Sequence, residues 1–291
     1  MKVIYLVYDG LTNPVFDSQV LTMLEFLKSQ GRGPNLLVSF EPFIKNDFLQ
    51  KMNEVIKRLE TDVVIIKRLP FINRLSLRTL AQSLVKIVVE HMVAPEPLIL
   101  HCRGQIAAYI AIQTKLLLPH VNIKVLADIR GVPEELLMRS NLWRGLGDQL
   151  RYREMKKVER EVYTSADRLC CVSNSFKYYI CKNFGCPADR ILVVYCSVNT
   201  NRFRFDSTVR ARIRDELRLE DNLVFAYSGS LSPWQVPDKI FEFFIMAQKA
   251  CPNSCLLILT KDVIAARKLL QKYDKYMANV MCLSMDYSRV P

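Results

Sequence analysis

The chain has 291 residues, 41 Lys and Arg against 29 Asp and Glu for a formal net charge of +12, and half of its residues are hydrophobic. This balance excludes a disordered, collagen-like or low-complexity chain. No apolar run approaches the roughly 18 residues that cross a bilayer, and the length suffices for two domains with real cores.

Short apolar strands alternate with amphipathic helical stretches from end to end. Strands are expected near residues 2–8, 35–40, 62–67, 97–101, 122–127, 168–172 and 190–195, then 223–228, 255–259 and 279–283. Helical periodicity marks 18–29, 75–92, 104–117, 148–164 and 236–250. Runs such as Asp62-Val-Val-Ile-Ile66 and Pro97-Leu-Ile-Leu100 show little polar alternation, as strands buried on both faces do. Repeated β-α units of this length predict an α/β fold, a doubly wound, mostly parallel sheet covered by helices. The expected organisation is a Rossmann-like N-terminal domain over 1–200, a polar linker over 201–221, and a second, incomplete Rossmann-like domain over 222–291. The run from Val3 to Tyr8 meets Asp9 at once, too short for a secretory signal, so it is expected as the first strand. Nine cysteines include no C-x-x-C pair. They are expected as reduced core residues of a cytoplasmic protein.

In open α/β sheets ligands gather beyond the carboxyl ends of the strands, so the residues just after each strand matter most. After the first strand come Asp9 and Gly10. After the fourth come His101-Cys102-Arg103-Gly104, and after the fifth Asp128-Ile129-Arg130-Gly131. After the eighth come Ser228-Gly229-Ser230-Leu231-Ser232 and then Gln235. Each has a bland reading: His101 as a histidine bonded to backbone, Asp128 and Arg130 as a local ion pair, Gly229 as a turn glycine with an unusual backbone angle. The joint pattern favours a substrate cleft. Cys102 and His101 are neighbours on a strand and point to opposite faces, so they form no nucleophile–base pair. There is no Walker-type phosphate loop, no G-x-S-x-G elbow and no D-x-D, and His91, His101 and His120 lack metal-ligand spacing.

These strand-end residues resemble those of the family 4 retaining glycosyltransferases, which have the GT-B architecture of two Rossmann-like domains. His101-x-Arg-Gly104 resembles the family's histidine-bearing loop, and Asp128-x-Arg-Gly131 the polar turn after the next strand. Cys171-Val-Ser-Asn-Ser175 resembles the V-S-x-S helix start. Val194-Tyr-Cys-Ser-Val-Asn-Thr-Asn-Arg-Phe203 is similar to the interdomain stretch, and Tyr227-Ser-Gly-Ser-Leu231 through Asp238 to the opening of the donor-binding domain. The resemblance implies a hexosyltransferase taking a nucleotide-sugar donor and a glycan or lipid-linked glycan acceptor, with no metal and no other cofactor. It implies His101 and Asp128 as catalytic residues near the reacting sugar. Gly10, Arg103 and Arg130 would bind substrate from the cleft side, while Gly229, Ser230, Gln235 and Lys239 would hold the donor. The sequence departs from the pattern at three places. Ser230 stands where the family has Arg, and Gln235-Val236 where it has Lys-Gly. Glu242 is the last glutamate, so the pair of donor-binding glutamates is not in this chain. The alternative reading is a non-catalytic or partner-dependent scaffold that binds a glycan or a protein subunit.

Positive charge concentrates in two places: residues 139–160 hold seven Lys and Arg against three acids, and residues 202–218 six Arg against three acids. Such segments predict attraction to an anionic membrane surface, at about 1 kcal/mol per basic residue close to it. The expected setting is therefore the cytoplasm, peripheral to the inner membrane face. Nucleic acid is not expected as a partner, since neither a known binding module nor a basic-aromatic strip is present.

Overall fold

The computed structural model describes residues 2–13, 15–42, 48–69, 73–91, 96–134, 146–219, 221–232, 235–273 and 279–284. The chain divides into two compact units, with the break between Cys196 and Ser197.

The first unit is built on seven strands: β1 (Lys2–Val7), β2 (Leu36–Glu41), β3 (Asp62–Lys67), β4 (Leu98–Arg103), β5 (Ile123–Ile129), β6 (Arg168–Cys171) and β7 (Ile191–Val193). All pair in parallel, in the order β3-β2-β1-β4-β5-β6-β7. Parallel neighbours need crossovers, and helices supply them. They are α1 (Thr22–Ser29, entered through a π-helical turn, Phe16–Leu21), α2 (Phe48–Leu59), α3 (Arg74–His91), α4 (Gly104–Leu117), α5 (Leu146–Ser165) and α6 (Asn174–Phe184). The near-continuous apolar strands are explained by their burial: every residue of β2 is buried. Helix α4 is apolar on nearly all sides because α3, α5 and the sheet surround it, and Ala107, Ala108 and Ala111 let those neighbours approach. A helix buried all round shows no amphipathic stripe. Tyr5, Leu11, Phe16, Leu21, Leu37 and Phe48 belong to one core cluster between sheet and helices. The Ser173 hydroxyl accepts from the Phe176 N–H at 3.1 Å and caps α6, which ends at left-handed Gly185.

The second unit repeats the opening half of that topology. Strands β8 (Leu223–Ser228), β9 (Ser254–Leu259) and β10 (Val280–Leu283) form a parallel sheet in the order β10-β9-β8. Helices α8 (Pro237–Ala250) and α9 (Val263–Lys272) cover it over a core that includes Leu231, Phe241, Phe244, Leu256 and Ile258. Before them stands α7 (Ser207–Glu216), within the stretch expected as a linker. Asp206 caps it, accepting from the Thr208 and Val209 N–H groups at 3.0 Å, and none of its residues is buried. Three arginines and only two large apolar residues, Val209 and Ile213, leave it without the apolar stripe that marks a packed helix. Arg139 and Arg144, in the basic segment 139–160, lie outside the described residues. Among the described residues no helix is long and apolar enough to cross a membrane.

Candidate functional site

Strand β1 lies between β2 and β4, so the chain reverses direction across the sheet here, and the carboxyl ends of β1 and β4 are where an open α/β sheet takes a ligand. Parallel register then decides which side chains meet there. His101 pairs with Tyr5 on one side and Leu126 on the other, and Arg103 pairs with Val7 and Asp128.

Asp128 is the centre of this cluster. Arg103 Nη1 donates to Asp128 Oδ2 at 3.2 Å, and Arg130 Nε lies 2.8 Å from Asp128 Oδ1. Arg103 Nη2 also donates to Gln19 Oε1, which ties the π-helical turn to the sheet edge. Arg130 reaches the Cys196 thiol, Nη1 to Sγ at 3.7 Å. The buried acid is thus held between two guanidinium groups, and hydrogen-bonded charge pairing is what makes its burial tolerable.

His101 stands edge-on to the Tyr5 ring, with centroids 4.6 Å apart. Its pKa falls to about 4, because burial disfavours the imidazolium; Asp128 pulls it upward, and Arg130 and Arg103 push it down. Near neutral pH the ring is therefore uncharged, with one nitrogen that donates and one that accepts. The Tyr5 hydroxyl is buried without a partner among the described residues, and its pKa is raised by that burial.

Gly10 belongs to the turn that leaves β1, with φ +88°. A Cβ there would lie 2.5 Å from Glu41 Oε2. Glu41 Oε1 accepts from the Leu11 N–H at 2.8 Å and from the Ser39 hydroxyl at 2.6 Å, which holds the turn against the end of β2. What lies against Gly10 is thus a carboxylate of the protein itself. Nothing in the spacing of Glu41 marked it, since it ends a strand like any other polar residue.

The expected donor turn belongs to the second unit, and the Asp128 cluster to the first. Gly229 does not adopt the positive φ expected of it; the left-handed residue is Val236, φ 49°. Val236 occupies the position where the family pattern has glycine, which gives that glycine its physical reason. The Gly229 N–H donates to the Leu259 carbonyl at 3.0 Å, and the Tyr227 hydroxyl to the Ser230 carbonyl at 2.6 Å. Ser230 and Gln235 are exposed. Lys239 Nζ is paired with Glu242 at 2.6 Å. Pro237 starts α8, whose first turn receives no side-chain cap.

A groove of about 420 Å³, lined among others by Arg74, Lys156, Lys157, Arg160 and Phe184, shares no residue with the Asp128 cluster. Much of its positive charge is answered internally: Lys156 pairs with Glu134 at 2.9 Å and also with Glu159, Lys157 with Glu154 at 2.6 Å, and Arg74 with Glu161 at 3.2 Å. Among the described residues no three His, Cys, Asp or Glu side chains converge as a metal site would.

Two parallel α/β units with a polar cluster at a strand reversal define a Rossmann-like protein of the GT-B class. The sequence pattern of Glycosyltransferase Family 4 matches residues 50–202, more than half of the chain, and the chain belongs to that family of sugar-transferring enzymes. Its fold is similar to that of Anabaena Alr3699/HepE, solved in complex with UDP-glucose (TM-score 0.65, 15% identity, covering 99% of this chain and 70% of that one). It is similar too to the Candida albicans trehalose-6-phosphate phosphatase N-terminal domain (0.64, 10% identity, 99% and 73%). A third similar structure is the E. coli trehalose-6-phosphate protein bound with UDP-2-fluoro glucose (0.58, 9% identity, 99% and 74%). No curated protein sequence matches the chain.

Proposed function

We propose that the protein transfers a hexosyl group from a nucleotide-sugar donor to a glycan or lipid-linked glycan acceptor, with retention of configuration and without a metal ion. The observation that carries this reading is the uncharged His101 at the reversal point, beside an Asp128 fixed by two arginines. A neutral imidazole exchanges hydrogen bonds with sugar hydroxyls and adds no positive charge beside an oxocarbenium-like centre. Arg103 and Arg130, expected to bind substrate directly, are turned onto Asp128 and act here by holding that carboxylate in place. Gly10 acts likewise, by making room for Glu41. On the donor side, the leaving diphosphate would meet the Ser228–Ser232 turn and the uncapped start of α8, where backbone N–H groups and the helix dipole favour anions. That two of these similar structures, the Anabaena and E. coli proteins, were solved with UDP-sugars supports a uridine nucleotide as the first donor to try.

The test is calorimetric titration with UDP, UDP-glucose and GDP-mannose, followed by assay of UDP release with and without oligosaccharide acceptors. Binding of a nucleotide sugar, with a loss of at least tenfold in kcat for a folded His101→Ala variant, is the expected result. Full transfer by that variant would sink the proposed role of His101. One observation favours the scaffold alternative: Lys239 is tied to Glu242, and the Gly229 N–H to Leu259, so the donor turn offers few free groups. Binding of glycan with no nucleotide sugar would select that alternative.

A peripheral site at the cytoplasmic membrane face is part of the proposal, consistent with nine free thiols. It rests on residues 202–218 more than on 139–160, because Lys156 and Lys157 already have carboxylate partners. Phe205, 80% exposed just before α7, and the exposed Val209 and Ile213 on it lie four residues apart among arginines, a pattern suited to the headgroup layer. Co-sedimentation with anionic vesicles, lost when Phe205 is changed to Ser, tests it.

A further inference from the structure

The two arginines singled out in the sequence are both engaged with Asp128, but a third arginine at the same sheet edge is not. Arg68 follows β3 directly, and its N–H donates to the Glu41 carbonyl at 2.9 Å, which extends the β2–β3 ladder by one bond. Its side chain crosses the end of β2, where Nε donates to the Phe40 carbonyl at 3.2 Å. The guanidinium then comes to rest 4.2 Å from the centre of the Tyr8 ring, just beyond β1. Tyr8 is itself packed near Phe40, with ring centroids 6.0 Å apart. Arg68 thus spans three strand ends, with its stem and Nε fixed by packing and a backbone bond.

This arrangement leaves the terminal nitrogens of the guanidinium without a carboxylate. Among the described residues neither Arg68 nor Arg151, on α5, makes an ion pair, whereas Arg103 and Arg130 at the same sheet edge both do. Arg151 is close enough for its charge to act on the Tyr8 hydroxyl together with that of Arg68. Asp9, an exposed acid next along the chain, acts on the same hydroxyl with the opposite sign. A half-buried guanidinium that hydrogen-bonds the Tyr8 hydroxyl and the Phe40 carbonyl is held in one orientation, and with a second cation whose charge reaches the same hydroxyl its remaining N–H groups form a donor set suited to a tetrahedral oxyanion. Surface arginines held only by solvent would not be pinned in this way.

We infer that Arg68, with Arg151 and Tyr8, binds a phosphate-type anionic group carried by the acceptor. The site lies at the carboxyl end of β1–β3, on the unit that holds His101, and so selects acceptors that bear such a group over neutral sugars. The inference rests on the transferase reading for the word acceptor, while the anion site stands on its own geometry.

The experiment is titration of the full chain with inorganic phosphate, glucose 6-phosphate, glucuronate and glucose, repeated for Arg68→Ala, Arg68→Gln and Arg151→Ala. Glucose 6-phosphate is expected to bind at least tenfold more tightly than glucose, with inorganic phosphate competing. Arg68→Ala and Arg68→Gln are expected to lose at least tenfold, and the exposed Arg151→Ala, which puts no packing at risk, three- to tenfold. UDP affinity should stay within twofold in every variant. Equal affinity for glucose and glucose 6-phosphate, or no loss in the Arg68 and Arg151 variants, overturns the site. A preference for glucuronate overturns its assignment to phosphate. Binding of inorganic phosphate that glucose 6-phosphate cannot displace refutes the acceptor as its source. A parallel loss of UDP binding would give the site to the donor and refute the inference. If the wild type binds no nucleotide sugar while phosphate binding follows Arg68, the transferase reading fails and the anion site survives.

Discussion

Changing Asp128 to Asn should be among the most destabilising isosteric substitutions in the first unit. Asparagine keeps the shape of the side chain, so packing is preserved and only the charge is lost. The Asp128 side chain is 3% exposed, between Arg103 at 8% and Arg130 at 18%. At 2.8 and 3.2 Å each contact carries roughly 5–6 kcal/mol of Coulomb attraction at an effective dielectric near 20. Most of that offsets the desolvation of the three charges. Removing the acid alone leaves two guanidinium groups unanswered, a loss of about 3–5 kcal/mol. For a unit of this size each kcal/mol moves Tm by about 2–4 °C, so the shift should be roughly 6–20 °C. Urea unfolding followed by far-ultraviolet circular dichroism measures it directly. A loss under about 1 kcal/mol would refute the claim that the carboxylate organises the two arginines. The variant has a second readout: Asp128 is the group that holds the His101 pKa up, so its removal should lower that pKa below about 4.

Other substitutions test the remaining parts of the frame. His101 binds its proton near pH 4 when folded and near 6.5 when unfolded, so the unfolded state holds more protons between those values. Its contribution to stability is full above about pH 6.5 and is lost as pH falls toward 4, with a slope of up to about 1.4 kcal/mol per pH unit. Denaturant midpoints from pH 7 to pH 4 should show this slope, and His101→Phe should flatten it. Gly10→Ala should cost more than the roughly 1–2 kcal/mol of a left-handed alanine, because its Cβ meets Glu41 Oε2 at 2.5 Å. Adding Glu41→Ala should not restore the midpoint, since the Leu11 and Ser39 bonds are then lost as well. Val236→Gly should raise the unfolding free energy by about 1 kcal/mol, read as a higher urea midpoint, since a β-branched residue at φ 49° is strained and glycine is not.

The sheet was legible because strands buried on both faces leave unbroken apolar runs, and all ten expected strands pair in parallel. Helices were read less completely. Helix α7 lacks an apolar stripe, while α2, α6 and α9 lie outside the expected helical stretches although each carries an amphipathic pattern. The residues of the candidate site were legible as a set, because the carboxyl ends of parallel strands share one edge whatever the side chains do. Their partnerships were not legible, because register decides them. Arg103 meets Asp128 only because β4 and β5 pair those two positions, a fact that spacing along the chain does not contain. Glu41 and Arg68 were passed over for the same reason. Each ends a strand without a motif, yet each reaches across to β1, one to seat the Gly10 turn and the other to lie over Tyr8. The residues with recognisable motifs turn out to hold the edge together, through Asp128 and its two arginines. Arg68, with no carboxylate partner among the described residues, follows β3 and lies over Tyr8 just beyond β1. On the proposed reading the site divides its labour, with motif residues fixing the shape and a residue outside any motif meeting the ligand.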